Sequence, residues 1–228
     1  MAESLLPTLR GVPFLAVLPE TDLAGLAERM RPRRYRAGAA IFHREDPGST
    51  LHIIHRGRVK LVLASPEGRE VTVQLLGPGD FFGELALLDG GPRSASAVAL
   101  EPVTTLTLDH APFIATLGRH PEVAGRLLAV LGDRLRRTDE LIADILFLDL
   151  PARLAKHLLA LADDHGSAGT DGIRIALRLS QSELAAIVGA TRESVNRCLN
   201  AYADRGLVAL DRDGITILDP DALRRRIY

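Results

Sequence analysis

The hydrophobic positions fall into three successive patterns along the chain. From about Arg31 to Asp109, short apolar runs are cut at regular intervals by glycine and proline. Leu51–His55 stops at Gly57, Val59–Leu63 at the Pro66-Glu67-Gly68 turn, and Val71–Leu76 at Gly77-Pro78-Gly79-Asp80. Ser94–Leu100 and Val103–Leu108 follow, broken by Glu101-Pro102. Strands this short with turns this regular predict a closed or sandwiched all-β unit. Leu23–Met30, just ahead of it, predicts a short helix.

The second pattern is helical and runs from Pro121 to about Leu148. Leu127, Leu131, Leu135, Ile142 and Ile145 recur in steps built from three and four, with Thr138 on the same line. That is a narrow stripe of the coiled-coil kind, so these six positions are the expected dimer interface. The other reading is that the helix packs on its own β-unit. Asp133, Arg134, Arg136, Arg137 and Asp144 are expected to flank the stripe as solvated charge.

Pro151 opens the third pattern. An apolar helix (Arg153–Ala162) is followed by a loop (Asp163–Gly172), a strand (Ile173–Leu179), two short helices and a hairpin (Val208–Leu218) turning at Asp213-Gly214. Ser180 with Glu183 three residues on is a capping box. Leu184, Ile187 and Val188 supply the first helix's apolar face, and Gly189 permits a sharp turn. Thr191 caps a second helix whose buried side is Val195, Leu199 and Tyr202. Two short helices about a glycine turn, with a strand and a hairpin either side, predict a winged helix-turn-helix. Arg192, Glu193, Asn196 and Arg197 share one exposed face near the second helix's N-terminus, the end that reaches base edges in this motif. A plain charged surface with supporting Arg/Glu pairs is the alternative.

Composition narrows the classes. Lys+Arg 28 against Asp+Glu 29 gives a net charge of −1, so any nucleic-acid binding must rest on a local face. The single cysteine, Cys198, excludes a disulfide framework within the chain. Beside Arg197 its thiolate is favoured, and a small apolar filler is the plainer role. The first residues carry Glu3 and no basic run, unlike a signal peptide, and no apolar run has transmembrane length. A cytoplasmic protein without a membrane partner is expected. His52 and His55, three apart on one strand, point to opposite faces, and no metal site is expected.

Gly79-Asp80-Phe81-Phe82-Gly83-Glu84-Leu85-Ala86-Leu87-Leu88 with Pro92-Arg93-Ser94-Ala95 resembles the phosphate-binding cassette of cyclic-nucleotide-binding domains. With Arg134-Leu135-Arg136-Arg137-Thr138 and Thr191-Arg192-Glu193-Ser194-Val195-Asn196-Arg197, nearly the whole chain resembles the cyclic-AMP receptor branch of the bacterial receptor/fumarate-nitrate regulator superfamily. The resemblance implies an α+β fold: a jelly-roll-like β-roll (1–118), a dimerisation helix (119–149) and a winged helix-turn-helix (150–228). It implies a homodimeric, non-enzymatic regulator that answers to cyclic AMP, with double-stranded DNA and RNA polymerase as partners. The alternatives are a regulator of the same superfamily that needs no nucleotide or answers to another effector (cyclic GMP, haem), and a cyclic-nucleotide-binding module that does not bind DNA.

Gly83, Glu84, Leu85, Arg93, Ser94, Ala95, Thr138 and Asp139 are the implied nucleotide contacts. The chemistry suits them. Arg93 offers a planar donor fork to a buried phosphodiester, Ser94 a hydroxyl, and Glu84 an acceptor for a ribose 2′-hydroxyl. A structural Glu84–Arg93 ion pair is the competing reading. Asp139 stands where the family more often has serine or asparagine; a carboxylate suits the adenine amino group and the guanine N1–H and N2 donors alike. Ser180, Gln181, Thr191, Arg192, Glu193, Asn196 and Arg197 are the implied DNA contacts, reading a palindromic TGTGA-like site.

Overall fold

The computed structural model describes residues 2–169, 172–175, 177, 179–211 and 214–227, with side chains from residue 5 onward. The chain forms two compact units, residues 1–63 with 73–138, and residues 64–72 with 139–228.

The first unit opens with α1 (Ala2–Arg10) and α2 (Glu20–Arg29). Then come β1 (Arg31–Tyr35), β2 (Ala40–Phe42), β3 (Thr50–Arg56), β4 (Val59–Ala64), β5 (Glu70–Leu76) and β6 (Phe81–Phe82). After α3 (Leu85–Asp89), β7 (Ser96–Ala99) and β8 (Val103–Asp109) complete two four-stranded sheets, ordered β1-β8-β3-β6 and β2-β7-β4-β5. The recorded strand pairs of both are antiparallel, for example Leu51↔Leu108 and Ile53↔Leu106.

β3 is buried on both faces, which is why its sequence is nearly continuously apolar. Leu51 and Ile53 join a core with Leu9, Leu23 and Phe113 from the helices and Phe14 and Leu15 from the turns between α1 and α2. Ile54 faces a second core, inside the roll, with Val59, Leu76, Phe82 and Val103. His52 lies in the buried stretch of the strand and His55 at its exposed end, and two residues three apart point to opposite faces.

α4 (His110–Arg119) and α5 (Pro121–Phe147) follow. The start of α5 packs on its own unit: Val123 and Leu127 are 0% and 2% exposed, and Leu131 packs partly against the same core. Leu127 is therefore core and not an interface position. The apolar residues left in solvent lie further round and further along, and include Leu128 (68%), Leu135 (63%), Ile142 (51%), Ile145 (40%), Leu146 (69%) and Phe147 (81%). Two of the expected solvated charges are not solvated. Arg134 is held in the cavity described below, and Asp144, 8% exposed, pairs with Lys156 at 2.7 Å.

In the second unit, Asp149 caps α6 (Leu150–His165) by accepting from the Ala152 amide at 2.8 Å, with Pro151 in the first turn. The loop expected over Asp163–Gly172 is partly regular: α6 runs to His165 and β9 (Gly166–Gly169) follows at once. β10 (Gly172–Ile175) is shorter than the expected Ile173–Leu179 strand, of which residues 176 and 178 lie outside the described residues. α7 (Gln181–Val188) and α8 (Arg192–Asp204) form the helix-turn-helix. β11 (Val208–Asp211) and β12 (Gly214–Ile217) form the hairpin, and α9 (Pro220–Arg224) closes the chain. The sheet order is β11-β12-β10-β9, a wing beside two helices. Asp213 of the expected turn lies outside the described residues.

Candidate ligand cavity and nucleic-acid interface

Gly83 adopts φ +81°, a conformation side chains rarely take, and a Cβ there would overlap the Arg93 guanidinium. The lack of a side chain lets Arg93 lie against the turn. Arg93 Nη1 donates to the Gly83 carbonyl at 2.8 Å, and Nη2 donates to the Thr50 carbonyl at 2.9 Å and Thr50 Oγ1 at 3.3 Å. The guanidinium carbon sits 4.2 Å from the Phe42 ring centroid. Burial pulls the guanidinium below its ordinary pKa, while Glu84 and Asp46 favour its charge. Arg93 Nε is buried and has no hydrogen-bond partner. Arg93 is thus a fixed, buried cation whose Nε–H is unanswered, an arrangement that stable proteins seldom leave without a ligand or water.

Arg93 does not pair with Glu84. Arg134 on α5 does, its Nη1 2.9 Å from Glu84 Oε1, in a site where the side chains are 14% and 5% exposed. Arg134 also donates to the Phe81 carbonyl and stacks over the Phe81 ring at 4.3 Å. The ion pair considered for Glu84 and Arg93 is therefore made with a different arginine.

These groups line a cavity of about 320 Å³. Gly83, Glu84, Leu85, Arg93, Ser94, Ala95 and Thr138 all contribute to its wall, so seven of the eight expected nucleotide contacts converge. Asp139 is exposed and does not line it. Phe42, Leu61, Val73, Gln74, Leu131, Arg134 and Leu135 complete the lining. Arg134 was findable: it precedes Thr138 by four residues on the helix and so shares its face. The strand residues carry no such local sign. Thr138 Oγ1 donates to the Arg134 carbonyl at 3.0 Å, which leaves its oxygen lone pairs for other groups.

A neutral polar chain backs the arginine. Thr50 Oγ1 accepts from Arg93 and lies 3.2 Å from His52 Nε2, and His52 Nδ1 lies 3.3 Å from Thr105 Oγ1. Thr50 can then donate to Nε2, which makes Nδ1–H the donor to Thr105. Burial, with Arg93 and Arg33 nearby, lowers the His52 pKa to about 3, so the ring is neutral. It stacks on Phe82 with centroids 5.0 Å apart.

In the second unit, both capping-box bonds of Ser180 and Glu183 are formed, and Gly189 ends α7 at φ +69°. Thr191 caps α8 through the Ser194 amide. Val195, Leu199 and Tyr202 are buried at 0%, 2% and 3%, and Tyr202 Oη donates to the Pro151 carbonyl at 2.6 Å. This leaves Arg192, Glu193 and Arg197 exposed and Asn196 half-buried at the start of α8. Gln181 links the two helices: its Nε2 donates to Asn196 Oδ1 at 3.0 Å, and its Oε1 accepts from Arg192 Nε at 3.4 Å. Arg197 donates to Ser194 Oγ at 3.3 Å. Among the described residues, neither arginine pairs with Glu193. The face thus offers donors and acceptors held in place by neutral partners.

Burial raises the Cys198 thiol above its ordinary pKa, partly offset by a hydrogen bond with Tyr202, so the neighbouring Arg197 does not make it a thiolate. Among the described residues, no group of three potential metal ligands comes together, and no helix is long and apolar enough to cross a membrane.

Residues 32–120 match the cyclic nucleotide-binding domain family, and residues 152–226 match the Crp-like helix-turn-helix domain family. A CRP-like cAMP-activated global transcriptional regulator of Mycobacterium tuberculosis is 38% identical, over 93% of this chain and 95% of that protein. A CooA mutant from Carboxydothermus hydrogenoformans superposes with a TM-score of 0.78 at 27% identity, covering 90% of each chain. The c-di-GMP-responsive global regulator CLP of Xanthomonas campestris superposes with a TM-score of 0.76 at 25% identity, over 85% of this chain and 98% of that one.

Proposed function

The chain belongs to the CRP family of transcription regulators, which are DNA-binding proteins and not enzymes, and from that premise we propose that it is a homodimer switched by cyclic AMP. The observation that carries the ligand class is the buried Arg93 with its unanswered Nε–H. A cyclic phosphodiester supplies the missing acceptor and the negative charge together. Ser94 adds a hydroxyl at the same end, and Glu84, with only Oε1 engaged by Arg134, keeps acceptor capacity for a ribose hydroxyl. The base then extends toward Leu131, Leu135 and Thr138. Asp139 is the candidate contact to the base held by the partner subunit.

A ligand shifts a regulator only if it binds the DNA-competent state better than the other. A base touched from both subunits across paired α5 helices provides that difference. Arg192, Glu193, Asn196 and Arg197 would read a TGTGA-like half-site, with Ser180, Gln181 and Thr191 placing the motif on the backbone. Two half-sites would lie about one helical turn, ~34 Å, apart. RNA polymerase is the proposed downstream partner.

Fluorescence anisotropy at one fixed salt concentration tests this, with a duplex of palindromic TGTGA/TCACA half-sites and no nucleotide, cyclic AMP or cyclic GMP. Tighter binding with cyclic AMP than with either alternative is expected. Tighter binding with cyclic GMP would replace the effector. Equal affinity in all three would remove the cyclic-nucleotide switch, and no preference over a scrambled duplex would remove the half-site.

A further inference from the structure

Away from Glu84, Arg93, Ser94 and Arg134 the cavity lining is mostly apolar, and Gln74 on β5 is a polar residue within it. Leu61 and Val73 from the strands and Leu131 and Leu135 from α5 line the same cavity as this half-buried amide. That amide makes no hydrogen bond among the described residues. A primary amide on an apolar wall loses hydration unless something in the cavity answers it. It offers an N–H₂ donor pair and a carbonyl acceptor side by side. A purine edge presents the matching pair, as when an amide side chain binds adenine through its amino group and an adjacent ring nitrogen.

We infer that Gln74 is a specificity residue that reads the purine base of the bound nucleotide from the strand side of the cavity. The inference rests on the cyclic-nucleotide reading above. Thr138 supports it with a complementary restriction. Its hydroxyl proton already goes to the Arg134 carbonyl, so toward a ligand Thr138 is an acceptor, suited to an amino group more than to a carbonyl. Gln74 supplies the donor that Thr138 lacks. Between them the two residues match a 6-aminopurine, whose amino group donates while its ring nitrogens accept. The polar end of the cavity fixes the cyclic phosphate without regard to the base, so within one subunit discrimination falls to these two side chains, beside the contact proposed for Asp139 of the other.

Calorimetric titration of the intact wild-type protein and Gln74→Leu tests this with two ligands. One is cyclic AMP. The other is benzimidazole riboside 3′,5′-cyclic phosphate, whose base lacks the amino group and the six-membered-ring nitrogens. Gln74→Leu should bind cyclic AMP about fivefold to twentyfold more weakly, the loss of one or two neutral hydrogen bonds. The benzimidazole analogue keeps only the five-membered-ring nitrogen of that edge, so its loss of affinity should be clearly smaller than that of cyclic AMP, and its retained binding also reports that the variant is folded and its phosphate end intact. Unchanged affinity for cyclic AMP, or an equal loss for both ligands, overturns the base-reading role. A wild type that binds neither ligand overturns the cyclic-nucleotide reading itself, and Gln74's role with it.

Discussion

Arg134 Nη1 lies 2.9 Å from Glu84 Oε1, joining α5 to the residue that starts α3 across fifty positions of sequence. Both groups are mostly withdrawn from water, so each depends on the other for neutralisation. Replacing Arg134 with leucine leaves the Glu84 carboxylate buried and unpaired. Urea unfolding should show a loss of about 3 kcal/mol for Arg134→Leu. Arg134→Leu combined with Glu84→Gln should recover most of it, because no uncompensated charge is then buried. Equal losses in the single and double variants would mean that the pair contributes through packing alone.

That contact also marks the limit of what the chain's pattern makes legible. The helix-turn-helix was readable because its determinants are local: Ser180 and Glu183 complete a capping box, and Gly189 takes the left-handed turn. The cassette glycine and arginine were readable as chemistry, though not Arg93's attachment to Thr50, forty-three residues away. β1 reads Arg-Pro-Arg-Arg-Tyr, a poor strand by propensity, and exists because β8 offers it a ladder. At Leu127 the α5 stripe enters the core of its own unit. A single periodicity cannot separate the part of a helix that packs on its own unit from the part left over.

Leu127 and Ile142 should respond oppositely for that reason. Leu127 is 2% exposed within the core, and Leu127→Ala should cost about 2–5 kcal/mol of stability. Ile142 is 51% exposed, and Ile142→Glu should leave the fold intact while weakening self-association by more than about tenfold. Urea unfolding and sedimentation equilibrium across a concentration series separate the two effects. An Ile142→Glu protein that associates as wild type does would place the interface on another face.

His52 makes stability depend on pH in a definite direction. Its pKa falls from 6.5 to about 3 on folding, so the unfolded chain takes up a proton that the folded chain refuses. The contribution is complete above about pH 6.5 and is lost as pH falls toward 3. The slope across that window is about 1.4 kcal/mol per pH unit for one proton. His52→Gln keeps a neutral hydrogen-bonding side chain and removes the titration. Its unfolding free energy should therefore fall less steeply than wild type between pH 6 and pH 4, by about that slope. Parallel pH profiles for the two proteins would show that His52 titrates alike in both states.

Arg197 is exposed on the first turns of α8 and is held only by Ser194 Oγ at 3.3 Å. A weak neutral contact is easily exchanged for a bidentate bond to guanine O6 and N7. Arg192 is tied to Gln181, which in turn holds Asn196, so its movement disturbs a small network. Arg197→Ala should accordingly weaken binding to the TGTGA-like duplex by about 1–3 kcal/mol and erase the preference at one G·C pair. Because a guanidinium that only meets phosphate would weaken all duplexes alike and lower the salt slope by about one, affinities should be measured on matched, single-substituted and scrambled duplexes at two salt concentrations. A uniform loss across the three, with a shallower salt slope, would move Arg197 from base reading to backbone contact.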